Sequence, residues 1–333
     1  MEHKDVIVSG IQPTGKVHLG NWAGSLRNWV ELQKKFPGQC FFFIADYHAM
    51  TIEYDPAERR EAVVDLAATI LALGIDPKIA TIFLQSDVPE VTELAWMFST
   101  VTPIVEMERM TQYKDKAAKN NKNINAGLFS YPILQAADIV IYGGNRVPVG
   151  QDQVQHVETT RVIARNFNKR FGELFPEPKE LLTDTPKVMS LTEPTAKMSK
   201  SHGPKSFIAL DDSPEEILKK IKGVPTEPSG DITPKKLVTE EYAGVSLLLD
   251  LLKLCGKNEE ANKFASQSGV KYGELKQSVA EVVADKFADY RAKKAELMND
   301  RSAILEVLSE GGKKARAIAQ KKMEEVRTKT GLR

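Results

Sequence analysis

Two short segments far apart in this chain carry residue types suited to one reaction at phosphorus: Pro13-Thr14-Gly15-Lys16-Val17-His18-Leu19-Gly20-Asn21 and Lys197-Met198-Ser199-Lys200-Ser201. The first sets glycines, an imidazole and a carboxamide where an apolar run gives way to helical spacing. Backbone N–H groups at a helix start are expected to face one anion there. Gly20, lacking a β-carbon, lets an adenine or ribose approach the backbone, while His18 and Asn21 can donate to phosphate or ribose oxygens. The second segment adds two ammonium groups, Lys197 and Lys200, from a loop that can close late and neutralise charge growing on a departing pyrophosphate. Each alone has a plain alternative, a glycine turn before a helix or a solvated lysine loop. Together they read as a cradle for a polyphosphate.

The elements that must hold this cradle alternate. Val6-Ile7-Val8 ends in Ser9-Gly10 and is followed by helical spacing through Leu26, Trp29, Val30 and Leu32. Cys40 to Ala45 is a continuous apolar run, as in a strand covered on both faces. Asp55-Pro56 supplies an N-cap and N1 proline for a helix to Gly74, Ala80 to Gln85 a third strand, and Pro89 to about Thr100 a further helix. Lys114 to Asn125 reads as an exposed, mobile loop, Tyr131 to Tyr142 as helix, Val147 to Gly150 as strand, and Asp152 to about Phe171 as helix. Lys187 to Leu191 then leads into the lysine loop. Strands alternating with long helices predict an α/β fold with an open, doubly wound parallel sheet, Rossmann-like. From about Pro204 strands become rare, and helical stretches at 213–222, 245–255, 259–268 and 275–308 predict a smaller all-helical domain. The expected division is therefore 1–203 catalytic, 204–300 helical, and 301–333 a basic segment returning to the catalytic domain.

At 333 residues there is room for two domains, which usually run about 50–250 residues each. A formal net charge of +1 gives no global field toward nucleic acid, so RNA contacts must come from local basic surface such as 114–122 or 311–333. Cys40 and Cys255 are too few for a disulfide framework or a metal cluster and are expected to be reduced cytosolic thiols. No stretch approaches the ~20 apolar residues of a membrane span, and Met1-Glu2-His3-Lys4-Asp5 lacks the apolar run of a signal peptide. A cytoplasmic protein is the expectation.

The pair His18-Leu19-Gly20-Asn21 and Lys197-Met198-Ser199-Lys200-Ser201 resembles the two signatures of the class I aminoacyl-tRNA synthetases. The similarity is closer to their bacterial tryptophanyl branch, through Ser9 to Gly15, Glu108-Arg109-Met110-Thr111-Gln112, Ala136-Ala137-Asp138-Ile139 and Val147-Pro148-Val149-Gly150-Gln151-Asp152-Gln153. Asn21 stands where many class members have a second histidine, as tryptophanyl members commonly show. Gln135 stands where some carry methionine against the indole. The resemblance implies an ATP-dependent ligase that makes tryptophanyl-adenylate and passes tryptophan to the terminal ribose of tRNA(Trp). It further implies a homodimer, with Mg²⁺ accompanying ATP and the helical domain meeting the anticodon end. It assigns catalysis to His18, Asn21, Lys197 and Lys200. To ATP it assigns Gln12, Gly20, Asn21, Gly150, Asp152, Val188 and Lys197 through Ser201, that is Lys197, Met198, Ser199, Lys200 and Ser201. To tryptophan it assigns Val8, Gln12, Tyr131, Gln135, Asp138, Val147, Val149 and Gln153; His48, just past the carboxyl end of the second strand where open α/β sheets bind ligands, is either a further residue of that pocket or a structural histidine.

Asp138 decides which amino acid is read. Its neighbours Ala136, Ala137, Ile139, Val140 and Ile141 are apolar, so an ionised carboxylate there needs a donor. By the resemblance that donor is the indole N–H. A pocket built round a buried acceptor rejects phenylalanine strongly, since discrimination by a missing hydrogen bond can reach about 10⁴–10⁵, and needs no editing domain. The competing readings are a tyrosyl relative, a small-molecule adenylyltransferase, and an inactive RNA-binding paralogue. Gln135-Ala136-Ala137-Asp138, the extra helical domain, and intact His18, Lys197 and Lys200 speak against them in turn.

Overall fold

The apolar runs near the N-terminus form the middle of a parallel sheet. A computed structural model describes residues 4–110, 125–150, 153–182, 186–233, 235–267 and 269–332. Among these are β1 (Ile7–Ile11), β2 (Cys40–Ile44), β3 (Ala80–Leu84), β4 (Arg146–Val149) and β5 (Lys179–Leu182). They lie in the order β3-β2-β1-β4-β5 with every neighbour parallel, Ile7 standing opposite both Cys40 and Arg146. The order reverses between β1 and β4, and ligands of open α/β sheets bind beyond the strands' carboxyl ends at such a switch point. β2 is buried at all five residues, Phe42 stacking on Trp29 at 4.4 Å. The expected sheet is thus present. β5 adds an edge strand that the apolar pattern did not predict.

Compactness divides the chain into two units. Met1–Gly15, Asn28–Asp184 and Leu297–Arg333 form the first, and Lys16–Arg27 with Thr185–Glu296 the second. The sheet belongs to the first. The second is mostly helical, with Pro214–Lys222, Ala243–Leu254, Asn258–Ser266 and Tyr272–Lys286 as its principal helices. The composition change near Pro204 does not coincide with this division, because backbone bonds stitch the His18 segment to residues 208–210. Leu19 N donates to Ile208 O at 3.0 Å and Leu210 N to Val17 O at 3.0 Å. The same unit holds the lysine loop.

Two helical expectations differ in detail. The Ala126–Val140 helix begins before Tyr131 because Asn125 caps it, its Oδ1 accepting from Leu128 N at 2.9 Å. The stretch 275–308 is not continuous. Tyr272–Lys286 ends at buried Phe287, Ala288–Asn299 follows, and Asp300 caps a new helix, Arg301–Thr330, through Ala303 N at 3.1 Å. That last helix lies in the first unit. Much of its basic excess is spent on ion pairs: Arg316 with Glu90, Arg327 with Glu93, Lys313 with Glu310 and Lys322 with Glu325. The loop expected at 114–125 falls, apart from Asn125, outside the described residues. Among the described residues no helix is long and apolar enough to cross a membrane.

Candidate active site

In the second unit, His18 is bound into the turn it precedes. Its Nδ1 accepts from Gly20 N at 3.1 Å and Asn21 N at 3.4 Å, while Asn21 Oδ1 accepts from His18 N at 3.2 Å. The first backbone N–H groups of the helix are therefore engaged already: Leu19 N with Ile208 O, Gly20 N with the imidazole, and Asn21 N with both the imidazole and, at 2.9 Å, His18 O. A Cβ at Gly20 would also lie 2.9 Å from His18 Cε1, so the glycine gives the imidazole its room. What remains for a ligand is better defined. With Nδ1 accepting, the proton of the neutral ring sits on Nε2, making that atom a donor.

The ring stays neutral for a physical reason. Burial lowers the His18 pKa to about 4, and the positive charges of Lys200 and Lys197 push in the same direction. These cations are thus felt at the imidazole. Met189 and Lys197 form an antiparallel bridge, and Met198 N donates to Val188 O at 2.9 Å. Ser199 Oγ meets Ser201 Oγ at 2.8 Å, and the buried Ser206 hydroxyl donates to Ser199 O at 2.8 Å. Lys197 and Ser201 are exposed, Lys200 and Ser199 half-buried, and Val188 and Met198 buried beneath them. A neutral N–H donor beside two ammonium groups suits a polyanion.

The depressed pKa fixes a sign for stability. Between pH 6.5 and about 4 the unfolded chain binds a proton at His18 that the folded chain refuses, so this contribution is full above 6.5 and lost as pH falls. Thermal unfolding over that window is expected to show wild type losing more stability than His18→Gln. Parallel losses would overturn the assignment.

In the first unit, Asp138 lies on the Ala126–Val140 helix and is 1% exposed. The expectation that it has little polar company is corrected here. His48 Nε2 meets Asp138 Oδ2 at 2.8 Å, and Gln85 Nε2 donates to Oδ1 at 2.9 Å and Oδ2 at 2.8 Å. Gln85 Oε1 in turn accepts from Tyr47 N at 3.1 Å and His48 N at 3.4 Å. One carboxamide therefore ties the acidic side chain to the turn carrying His48. Burial nevertheless pushes the Asp138 pKa up, against the pull of His48 and Gln85. Three of the roughly four lone-pair directions of a carboxylate are used, leaving room for one more donor.

Tyr131, two turns before Asp138 on the same helix, shares a 2.8 Å hydrogen bond between its hydroxyl and His156 Nε2, and burial pushes its pKa up to about 12. Its ring meets that of His48 edge-on at 6.3 Å. Val8 and Val147 are enclosed in the core of this unit, while Gln135, Val149, Gly150 and Gln153 are half-buried and Gln12 is exposed just beyond β1. Gln153 N donates to Gly150 O at 3.0 Å. Asp152 lies outside the described residues.

Sequence reasoning missed Gln85 and His156 in this unit. Gln85 did carry a signal, being a polar residue at the carboxyl end of a parallel strand. In the other unit it missed Phe207, whose ring lies 5.6 Å from that of His18, and Asp212, which accepts from Ala209 N at 2.8 Å and Lys220 Nζ at 2.6 Å.

Residues 2–288 match the family model described as tRNA synthetases class I (W and Y). The chain belongs to that class I tRNA synthetase family. Within the family it is 43% identical over 332 residues to the tryptophan–tRNA ligase of Wolinella succinogenes, covering 99% of each chain. It is 42% identical to that of Caldanaerobacter subterraneus, covering 98% of each. Among solved synthetases it is similar to the Campylobacter jejuni tryptophanyl-tRNA synthetase complexed with ADP and tryptophan. There the TM-score is 0.84 at 37% identity, over 98% of this chain and 99% of that one.

Proposed function

We propose that this synthetase activates L-tryptophan with ATP to tryptophanyl-adenylate and pyrophosphate, then transfers tryptophan to the 3′-terminal ribose of tRNA(Trp) in the cytoplasm. The observation that carries the reading is the buried Asp138 carboxylate, oriented by His48 and Gln85 with acceptor capacity left over. Full-length similarity to tryptophan–tRNA ligases supports it.

In the proposed pocket Asp138 accepts the indole N–H, Tyr131 and Gln153 hold the ammonium group, and Gln12 meets the carboxylate and α-phosphate. Val8, Gln135, Val147 and Val149 line the indole side. The substrate carboxylate is ionised near pH 7, so its attack on the α-phosphorus needs no general base. Alignment and charge neutralisation remain. Binding both reactants in line is worth up to roughly 7–11 kcal/mol. His18 Nε2–H, Lys197 and Lys200 are proposed to stabilise the departing pyrophosphate, with Asn21, Gly20, Gly150, Asp152, Val188, Met198, Ser199 and Ser201 about the nucleotide. Mg²⁺ is proposed to arrive on the triphosphate. Among the described residues no group of three or more His, Cys, Asp or Glu could hold it.

We further propose a homodimer, with 204–300 meeting the anticodon end of the tRNA. The test of the function is charging: purified enzyme with ATP, magnesium and labelled tryptophan is expected to load tRNA(Trp). Loading with tyrosine in its place would replace this reading with the tyrosyl one.

A further inference from the structure

The C-terminal helix touches the element that carries Gln85, over two hundred residues away in sequence. Gln85 opens the turn Gln85–Asp87, which continues into the Glu90–Ser99 helix. Arg301–Thr330 runs along β3 so closely that a Cβ on Gly311 would lie 1.8 Å from Ile82 O. One residue on, a Cβ on Gly312 would lie 2.7 Å from Asp87 Oδ2 and 2.8 Å from Asp87 Cβ. Next, Arg316 Nε donates to Glu90 Oε1 at 2.9 Å. Glu90 is buried, and among the described residues its other oxygen has no hydrogen-bond partner, so Arg316 compensates a carboxylate largely withdrawn from water. Farther along, Arg327 makes a paired contact with both oxygens of Glu93. Backbone at a glycine, a guanidinium and a second guanidinium thus hold the turn and the helix after it.

That turn has little freedom to move without moving the pocket. Gln85 is 1% exposed, and its carboxamide spans Asp138 on one side and the Tyr47 and His48 amides on the other. Hydrogen bonds weaken steeply with misalignment, so displacement of the Gln85 backbone by a few tenths of an ångström changes where the Asp138 carboxylate sits. We infer that the Arg301–Thr330 helix braces the amino-acid pocket. Through Gly312 against Asp87 and Arg316 on Glu90 it positions Gln85, and through Gln85 it sets the affinity and selectivity of Asp138 for tryptophan. Gly312, Arg316 and Gln85 are on this account positioning residues, acting without touching substrate. The inference rests on the tryptophan reading for its kinetic readout.

Gly312→Ala and Arg316→Met test it in the full-length enzyme. ATP–pyrophosphate exchange is expected to show KM for tryptophan rising about tenfold while KM for ATP stays within about twofold. Amide hydrogen exchange at Tyr47 and His48 is expected to quicken. Adding Asp87→Gly to Gly312→Ala removes the atoms a new Cβ would strike and is expected to restore both readouts. Unchanged tryptophan KM in folded variants overturns the inference, as does an equal rise for both substrates. Should Gly312→Ala fail to fold, Arg316→Met decides on the same measurements. If wild type exchanges with another amino acid, the tryptophan reading fails, whereas the amide readout still judges the brace.

Discussion

Replacing Asp138 by alanine is expected to lower kcat/KM for tryptophan by about 10²–10³ while ATP binding stays near its wild-type level. The size follows from what is removed. Loss of one partner from a buried, hydrogen-bonded charged contact costs about 2–5 kcal/mol, and tenfold corresponds to about 1.4 kcal/mol. The change also strips an acceptor from Gln85 Nε2 and from His48 Nε2, both buried, so some loss of stability accompanies it. Asparagine is no clean substitute. Gln85 cannot turn its carboxamide round to meet the new NH₂ without abandoning the Tyr47 and His48 amides. Equilibrium binding of each ligand to the folded variant separates the effects: equal losses for tryptophan and ATP would remove Asp138 from the role of indole acceptor.

Lys200→Ala is expected to slow adenylate formation by about 10²–10³, the usual cost of deleting one preorganised electrostatic stabiliser. Tryptophan affinity is expected to stay within about twofold, since no tryptophan role is proposed for this loop. The structure adds a second expectation. Because Lys200 is one of the charges holding down the His18 pKa, the variant's imidazole should titrate higher than about 4. Pre-steady-state formation of adenylate measures the rate, and NMR titration of His18 the pKa. An unchanged single-turnover rate contradicts the proposed role.

Much of the fold was legible because its signals are local. β1 to β4 are marked by short apolar runs, and the Pro56–Ala72 helix by its Asp-Pro start, capped at Ala57 N and Glu58 N. β5 was missed because Lys179–Leu182 has no buried residue to mark it; it forms only by pairing with β4. The breaks at Phe287 and Asp300 carry no glycine or proline. Phe287 is fixed by the edge of Trp22 at 5.0 Å, a contact invisible in a window of neighbouring residues.

The site divides in the same way. His18, Lys197 and Lys200 stood out because their types and spacing are chemical in themselves. Gln85 did not, for its role exists only where residues 37, 53 and 90 positions apart in sequence converge. The N–H groups of Gly20 and Asn21 were not legible in this way, because their acceptors are the ring nitrogen and carbonyl of the histidine before them.

In the proposed enzyme a buried carboxylate chooses the amino acid and a neutral imidazole with two lysines meets the phosphates. ATP–pyrophosphate exchange with magnesium, run against each of the twenty amino acids, tests it most directly. Tryptophan alone should drive label into ATP above background. Exchange driven by tyrosine, or none with tryptophan, would contradict the account.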